Sequence, residues 1–234
     1  PGLFHTPMMD GLPAEVRDSL AADVTRDALA ELLAAFAVYR AYLPAGVEHV
    51  TDAAARASAR RRDLAPAIAA LAPLVAEPGT EFSRRFMQTT GPVMAKGVED
   101  RAFYRFSRLT SLTEVGGDPS RFAVSVGDLH AAFARRQASW PDALVALTTH
   151  DTKRSEDTRA RLAVLAEVPE RWAATLSGLR AIASTGDGPL DNLLWQAVVG
   201  AWPATAERLH GYVEKAARES AVGTTWESPD AAFE

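Results

Sequence analysis

Apolar residues recur along this chain at spacings of three and four, the mark of helices with one buried face. Leu29, Leu32, Leu33, Phe36, Tyr39 and Leu43 follow that spacing, and so do Leu64, Ile68, Leu71 and Leu74. Phe82, Phe86 and Met87 begin another segment, and Ala102, Phe103, Phe106, Leu109 and Leu112 mark a further helical stretch. The pattern predicts a helix over 126–137 with Leu129 and Phe133 inward, and others over 155–166 (Leu162, Leu165) and 170–183 (Trp172, Leu176, Leu179, Ile182). Two more are predicted around Leu190, Leu193, Leu194 and Val198, and around Leu209, Tyr212, Val213 and Ala216. Glu77-Pro78-Gly79, Gly116-Gly117-Asp118-Pro119, Trp140-Pro141, Gly186-Asp187-Gly188-Pro189 and Trp202-Pro203 punctuate these elements. The short apolar run 143–147 is the strand candidate. The expected fold is mainly α, with at most one or two short strands and no internal repeat.

Composition changes this picture little. Of 234 residues, 47% are hydrophobic and 24% charged, ordinary for a globular protein with a sizeable core. No apolar run approaches the roughly 20 residues of a membrane span. The opening Pro1-Gly2-Leu3-Phe4-His5-Thr6-Pro7 lacks the basic start and apolar core of a leader. Zero cysteines remove disulfides and thiolate metal sites and agree with a reducing cytoplasm. A net charge of −5 argues against nucleic acid as a partner, and Arg60-Arg61-Arg62 with Arg56 reads as a solvated helix face beside Asp63. The chain begins without methionine and reads as a piece of something longer.

Candidate chemistry concentrates in polar segments. The stretch LVALTTHDTKRSED, 144–157, carries an apolar run into His150-Asp151 and then opens a charged, helix-starting segment. A group at the end of a buried strand is held by the scaffold yet faces a cleft. His150 and Asp151 can grip adjacent hydroxyls, and Asp151 can hold negative charge against a developing cation. The same residue types also allow Asp151 or Thr152 to be simply a helix cap. In TTGPVMAKGVED, 89–100, the glycines and Lys96 lack Walker spacing, so no phosphate loop is expected. Lys96, Glu99 and Asp100 there precede Phe103, Tyr104 and Phe106. They form either an acidic helix N-terminus with aromatics buried behind it, or a cleft wall offering a cation, carboxylates and a ring platform for a sugar. The segments 113–119 and 224–230, taken alone, read as turns. His5, His49, His130, His150 and His210 are scattered, and no Gly-x-Ser-x-Gly elbow occurs, so neither metal nor cofactor nor serine-hydrolase chemistry is implied.

Read together, the segments resemble the maltooligosyltrehalose synthases, a family of the α-amylase superfamily. The matching strings are FAVYRAY (36–42), TGPVMAKGVEDRAFYR (90–105), LTEVGGDP (112–119), Trp140-Pro141, TTHDTKRSEDTRAR (148–161), Gln196 with GAWP (200–203), 215–219 and 225–234. The resemblance implies helical subdomains excised from a (β/α)8-barrel enzyme. Residues 1–140 would be a helical insertion and 141–234 the end of barrel strand seven with a following helical segment; one compact helical unit is the alternative.

The implied reaction converts the reducing-end α-1,4 bond of a maltooligosaccharide to an α,α-1,1 bond by intramolecular transglycosylation. His150-Asp151 resembles the superfamily's fourth conserved region, with Asp151 as transition-state stabiliser and His150 on a substrate hydroxyl. Lys96, Glu99, Asp100, Tyr104, Lys153 and Arg154 become candidate substrate-binding residues. The family's Arg-x-Asp-His-x-Asp-Gly nucleophile segment is absent from residues 1–234. A retaining mechanism needs two carboxyls about 5–5.5 Å apart, so the expectation is a fragment without turnover of its own. Its partners would be a maltooligosaccharide and the remainder of the parent barrel, with no nucleic acid or membrane. The competing reading is a non-catalytic helical carbohydrate-binding or interaction module.

Overall fold

The computed structural model describes residues 9–234. The opening heptapeptide read for a leader, and His5 within it, lie outside the described residues. Two compact units divide the chain, one running to Val98 and the other from Glu99 to Glu234. The expected boundary at 140/141 concerns the course of a barrel rather than compactness.

The first unit is built of α1 (Ala14–Ser19), α2 (Ala22–Ala35), α3 (Val47–Arg60), α4 (Ala65–Ala76) and α5 (Glu81–Met94). Helix α2 is central and packs against α3, α4 and α5. Leu29, Leu32, Ile68, Leu71 and Phe86 are fully buried there, as the spacing of apolar positions predicts. Thr80 caps α5 by accepting the Ser83 N–H at 3.2 Å, while α4 stops at the Glu77-Pro78-Gly79 turn, where Gly79 has φ +80°. One expectation fails at Tyr39 and Leu43. Helix α2 ends at Ala35, because Phe36 turns into extended backbone and packs edge-on against Phe86. The carbonyl of Tyr39 then accepts the Thr90 hydroxyl at 2.7 Å. The arginine run meets carboxylates: Arg60 pairs with Glu31 and Arg61 with Asp63.

Helix α5 runs on into a π-helical segment, Ala95–Ala102, followed by one helical turn, Phe103–Arg105, and a 3-10 turn, Thr110–Leu112. The continuous helix expected through Leu112 is therefore broken at Phe106, where the backbone becomes extended. The second unit continues with α6 (Val126–Ser139), α7 (Glu156–Val164), α8 (Pro169–Ile182), α9 (Gly188–Ala201) and α10 (Ala206–Ser220). Helix α9 is the hub, packing on α7, α8, α10 and the Phe103–Arg105 turn.

Two further expectations are overturned. Leu129 and Phe133 do not face inward: no residue of α6 is buried, and Arg136 covers the Phe133 ring at 4.9 Å. The strand candidate is no strand. Among the described residues no sheet forms, and Leu144 is fully exposed with Val145 and Leu147 largely so. No strand stands beside 143–147 to take its hydrogen bonds, so its apolar character finds no partner.

Buried polar side chains replace part of the missing apolar core in this unit. Gln196, wholly buried, accepts the Thr110 N–H at 2.8 Å and donates to the Ser107 carbonyl at 2.7 Å, fastening the non-helical stretch to α9. Asp191 accepts bonds from Arg180, Ser184 and both the backbone and hydroxyl of Thr185. Burial alone would raise its carboxyl, but those donors win and hold it down to about 2. No helix among the described residues is long and apolar enough to cross a membrane.

A folded pKa below the ordinary carboxylate value means stability that is present above about pH 4 and lost as pH falls toward 2, worth about 2 kcal/mol. Urea denaturation between pH 5 and pH 2 is expected to show a shallower acid loss in Asp191→Asn than in the wild type. Equal acid slopes would remove this role.

Candidate functional site

An exposed turn, 148–152, carries the histidine–aspartate pair. The Thr152 hydroxyl closes it, donating to the Thr149 carbonyl at 2.8 Å and accepting the Thr149 N–H at 3.1 Å. His150 Nδ1 lies 3.2 Å from Asp151 Oδ1, and the two side chains are 100% and 81% exposed. Neither Asp151 nor Thr152 caps the following helix. Ser155 does, its hydroxyl accepting the Thr158 N–H at 3.4 Å, so the simple capping reading of the pair fails.

Lys153 leaves the turn toward the π-helical segment. Its ammonium sits 3.1 Å from Asp100 Oδ1 and 5.1 Å from the centre of the Tyr104 ring. A cation held between a carboxylate and a ring face is fixed in direction as well as charge. Burial pushes the Tyr104 phenol up, so it stays protonated and can donate a hydrogen bond. Glu99, from the same segment, is buried, and its Oε1 has no hydrogen-bond partner. That burial raises its carboxyl above the ordinary range. The charges of Asp100 and Asp151 add to the rise, against a hydrogen bond from the Gly116 backbone and the opposing charge of Lys153. Glu99 and Asp100 are therefore no helix cap; Ala102 occupies the N-cap position before Phe103.

One carboxyl is thus buried and raised, a second stands in solvent, and an ammonium lies within electrostatic reach of both acidic residues of the π-helical segment. Such a set can bind hydroxyls at fixed angles and present negative charge to a developing cation. Lys96 lies on the first unit's stretch of the π-helical segment with its side chain exposed. Arg154 is buried instead, its guanidinium donating to the carbonyl of Thr113 at 3.1 Å and to its hydroxyl at 3.2 Å.

The turn at 113–119 does more than reverse the chain. Glu114 Oε1 accepts the Lys153 N–H at 2.8 Å and Oε2 accepts the Arg154 N–H at 3.2 Å. Gly116 has φ +72°, and a Cβ on Gly117 would come within 2.8 Å of the Glu114 carbonyl, so the glycine pair lets the turn close. Glu114 and its partner Arg159 escaped the sequence reading because the contacts join positions far apart in the chain, and no local spacing announces them. The segment 224–230 is a structural clasp. Thr224 donates to Glu234, whose carboxyl the Arg218 guanidinium holds down to about 2, and Arg218 also covers the Trp226 ring.

A pocket of about 280 Å³ opens beside Lys153 and Arg154, with Thr158, Leu162 and Tyr212 in its wall. A larger groove of about 840 Å³ lies among Phe106, Leu109, Leu112, Phe122 and Trp172, with no carboxylate among the described residues that line it.

Titration of the Glu99 carboxyl by 13C NMR is expected to give a midpoint above 4.5. Removing the cation in Lys153→Met should move it higher, and removing a negative charge in Asp151→Asn should move it lower. A midpoint indifferent to both changes would separate Glu99 from the turn.

No family model matches the chain. Two Mycobacterium tuberculosis relatives, from strains CDC 1551 and H37Rv and both named for maltooligosyl trehalose synthase, are 43% identical over 214 residues. That match covers 88% of this chain and 28% of theirs. The solved maltooligosyltrehalose synthase from Arthrobacter ramosus superposes with a TM-score of 0.87 at 51% identity, over 97% of this chain and 30% of that one. A mutant of the same enzyme gives 0.89 and 53%, over 97% and 29%. The chain therefore spans less than a third of the length of the proteins it matches. With their sequence along nearly all its length and their fold, it belongs to the maltooligosyltrehalose synthase family.

Proposed function

We propose that this chain is the part of a maltooligosyltrehalose synthase that presents the supporting carboxylate and the wall of the reducing-end sugar site. The whole protein would then move the reducing-end glucose of a maltooligosaccharide from an α-1,4 to an α,α-1,1 linkage, in the cytoplasm. The observation that carries the reading is the Lys153 ammonium held between Asp100 and the Tyr104 ring, two residues after solvent-facing Asp151 and within electrostatic reach of buried Glu99, on a chain of this family.

In such a reaction a carboxylate attacks the anomeric carbon of the penultimate glucose, and an acid protonates the departing O4 of the terminal glucose. The cation-like transition state needs negative charge close by, which is the role proposed for Asp151. At about 4 Å and an effective dielectric near 20, one charge on another is worth roughly 4 kcal/mol. His150 would hold a hydroxyl of the reacting sugar. The released glucose must then stay, turn, and offer its C1 hydroxyl to the glycosyl-enzyme. Lys153, Asp100 and Glu99 supply polar contacts for a sugar held that way, and Tyr104 a ring beside them. Arg154, already bonded to Thr113, supports the wall from behind. Neither nucleophile nor acid/base carboxylate is assigned within residues 1–234; in this reading both come from the remainder of a barrel, to which 143–147 would add as a strand. The module reading loses its main support because Asp151 caps nothing.

In the whole protein, Asp151→Ala is expected to lower conversion of maltohexaose by at least about 1,000-fold, the loss of roughly 4 kcal/mol. The 234-residue chain alone should give no product. Product formation by the purified chain, abolished in Asp151→Ala, would overturn the assignment of the missing carboxylates. Saturation-transfer NMR with maltohexaose on the chain and on Asp151→Ala reads the sugar contact directly; equal signals from both would deny Asp151 a place facing the sugar.

A further inference from the structure

The turn that carries Asp151 is clamped at its base by one ion pair. From this we infer that Glu114, acting with Arg159, is a positioning residue for Asp151. The inference rests on the function proposed above.

Both chain segments that flank 148–152 are tied to this pair. On the entering side, Arg159 Nη2 donates to the Leu147 carbonyl. On the leaving side, the Glu114 carboxylate accepts the Lys153 and Arg154 N–H groups at 2.8 and 3.2 Å. Arg159 Nη1 joins the two halves, lying 3.5 Å from Glu114 Oε2 and donating to the Arg154 carbonyl at 2.8 Å. Glu114 is set in turn by its own loop, where Oε1 accepts the Val115 N–H at 3.0 Å and its carbonyl accepts the Gly117 N–H at 2.7 Å. The side chains of Glu114 and Arg159 are only 17% and 24% exposed, so their charge-assisted bonds are weakly screened.

At the tip the situation is reversed. Asp151 has His150 as its side-chain partner and is otherwise open to solvent. Its aim is inherited from the base. A carboxylate that opposes a developing charge acts through distance, and a displacement of about 1 Å can cost on the order of 100-fold in rate. Glu114 thus acts on the reaction through the backbone of Lys153 and Arg154, without meeting the sugar.

The test compares Glu114→Ala, Glu114→Gln and Asp151→Ala in the whole protein, reading kcat and KM on maltohexaose together with Tm. It adds amide NMR of Lys153, Arg154 and Leu162 in the 234-residue chain. Glu114→Ala is expected to lower kcat by ~30- to 100-fold with KM held within about twofold. Glu114→Gln, whose carbonyl still accepts one N–H, should restore about tenfold of that loss. The Lys153 and Arg154 amides should shift upfield and lose exchange protection in the Ala variant, while Leu162 in α7 stays put. If Asp151→Ala abolishes turnover and Glu114→Ala keeps wild-type kcat, the positioning role is overturned and the function stands. If Asp151→Ala turns over normally, the function falls and the positioning role with it. Should Glu114→Ala not fold, Glu114→Gln decides alone: a lowered kcat at unchanged Tm supports the role, and an unchanged kcat overturns it.

Discussion

Peptide groups that leave a helix need new partners, and in the second unit a few buried side chains supply them. Gln196 takes up the backbone at Ser107 and Thr110, Glu114 the amides of Lys153 and Arg154, and Asp191 the amide of Thr185. The first unit has less need of them, since α2 is surrounded by helices and its interior is aliphatic and aromatic. The second unit has few buried apolar residues outside α7, α9 and α10 and depends on polar fasteners whose geometry tolerates little change.

That dependence shapes the site. The π-helical segment sinks the Glu99 carboxyl, while the clamped turn lifts that of Asp151 into solvent. Lys153 opposes the rise of Glu99 while engaging Asp100. Two acids so placed differ in surroundings and reach, and difference of this kind lets neighbouring carboxyls take separate roles. Glu99 and Asp100, successive positions of the π-helical segment, meet different environments, one buried and one paired with Lys153.

Much of this was legible in the sequence. Periodicity located the buried faces at Leu29, Leu32, Ile68, Leu71 and Leu162, and turn residues marked the stops at Gly79 and Gly116. His150, Asp151, Glu99 and Lys153 stood out because packing gives no reason for such polar density. The failures have physical causes. Tyr39 continued a helical spacing, yet Phe36 gains more by turning onto Phe86 than by extending α2. Leu129 and Phe133 have the right period for a buried face, but period says nothing about whether a neighbour exists. The run 143–147 carries strand chemistry without a strand to pair with. Glu114 was invisible as anything beyond a turn residue, since its worth lies in two amides that only the folded chain brings to it.

The uncovered run at 143–147 has a consequence for how the chain behaves in bulk. Leu144, Val145 and Leu147 leave β-favouring side chains in solvent, the kind of uncovered apolar segment that invites pairing with another chain. Pro141 and Asp142 guard only its front, where a missing N–H and a charge discourage stacking. The back opens directly onto the threonines of the turn, with no gatekeeper before Asp151. The uncovered apolar run and the candidate chemistry thus share one stretch of chain, so a substitution that removes the exposed apolar surface falls directly beside His150 and Asp151.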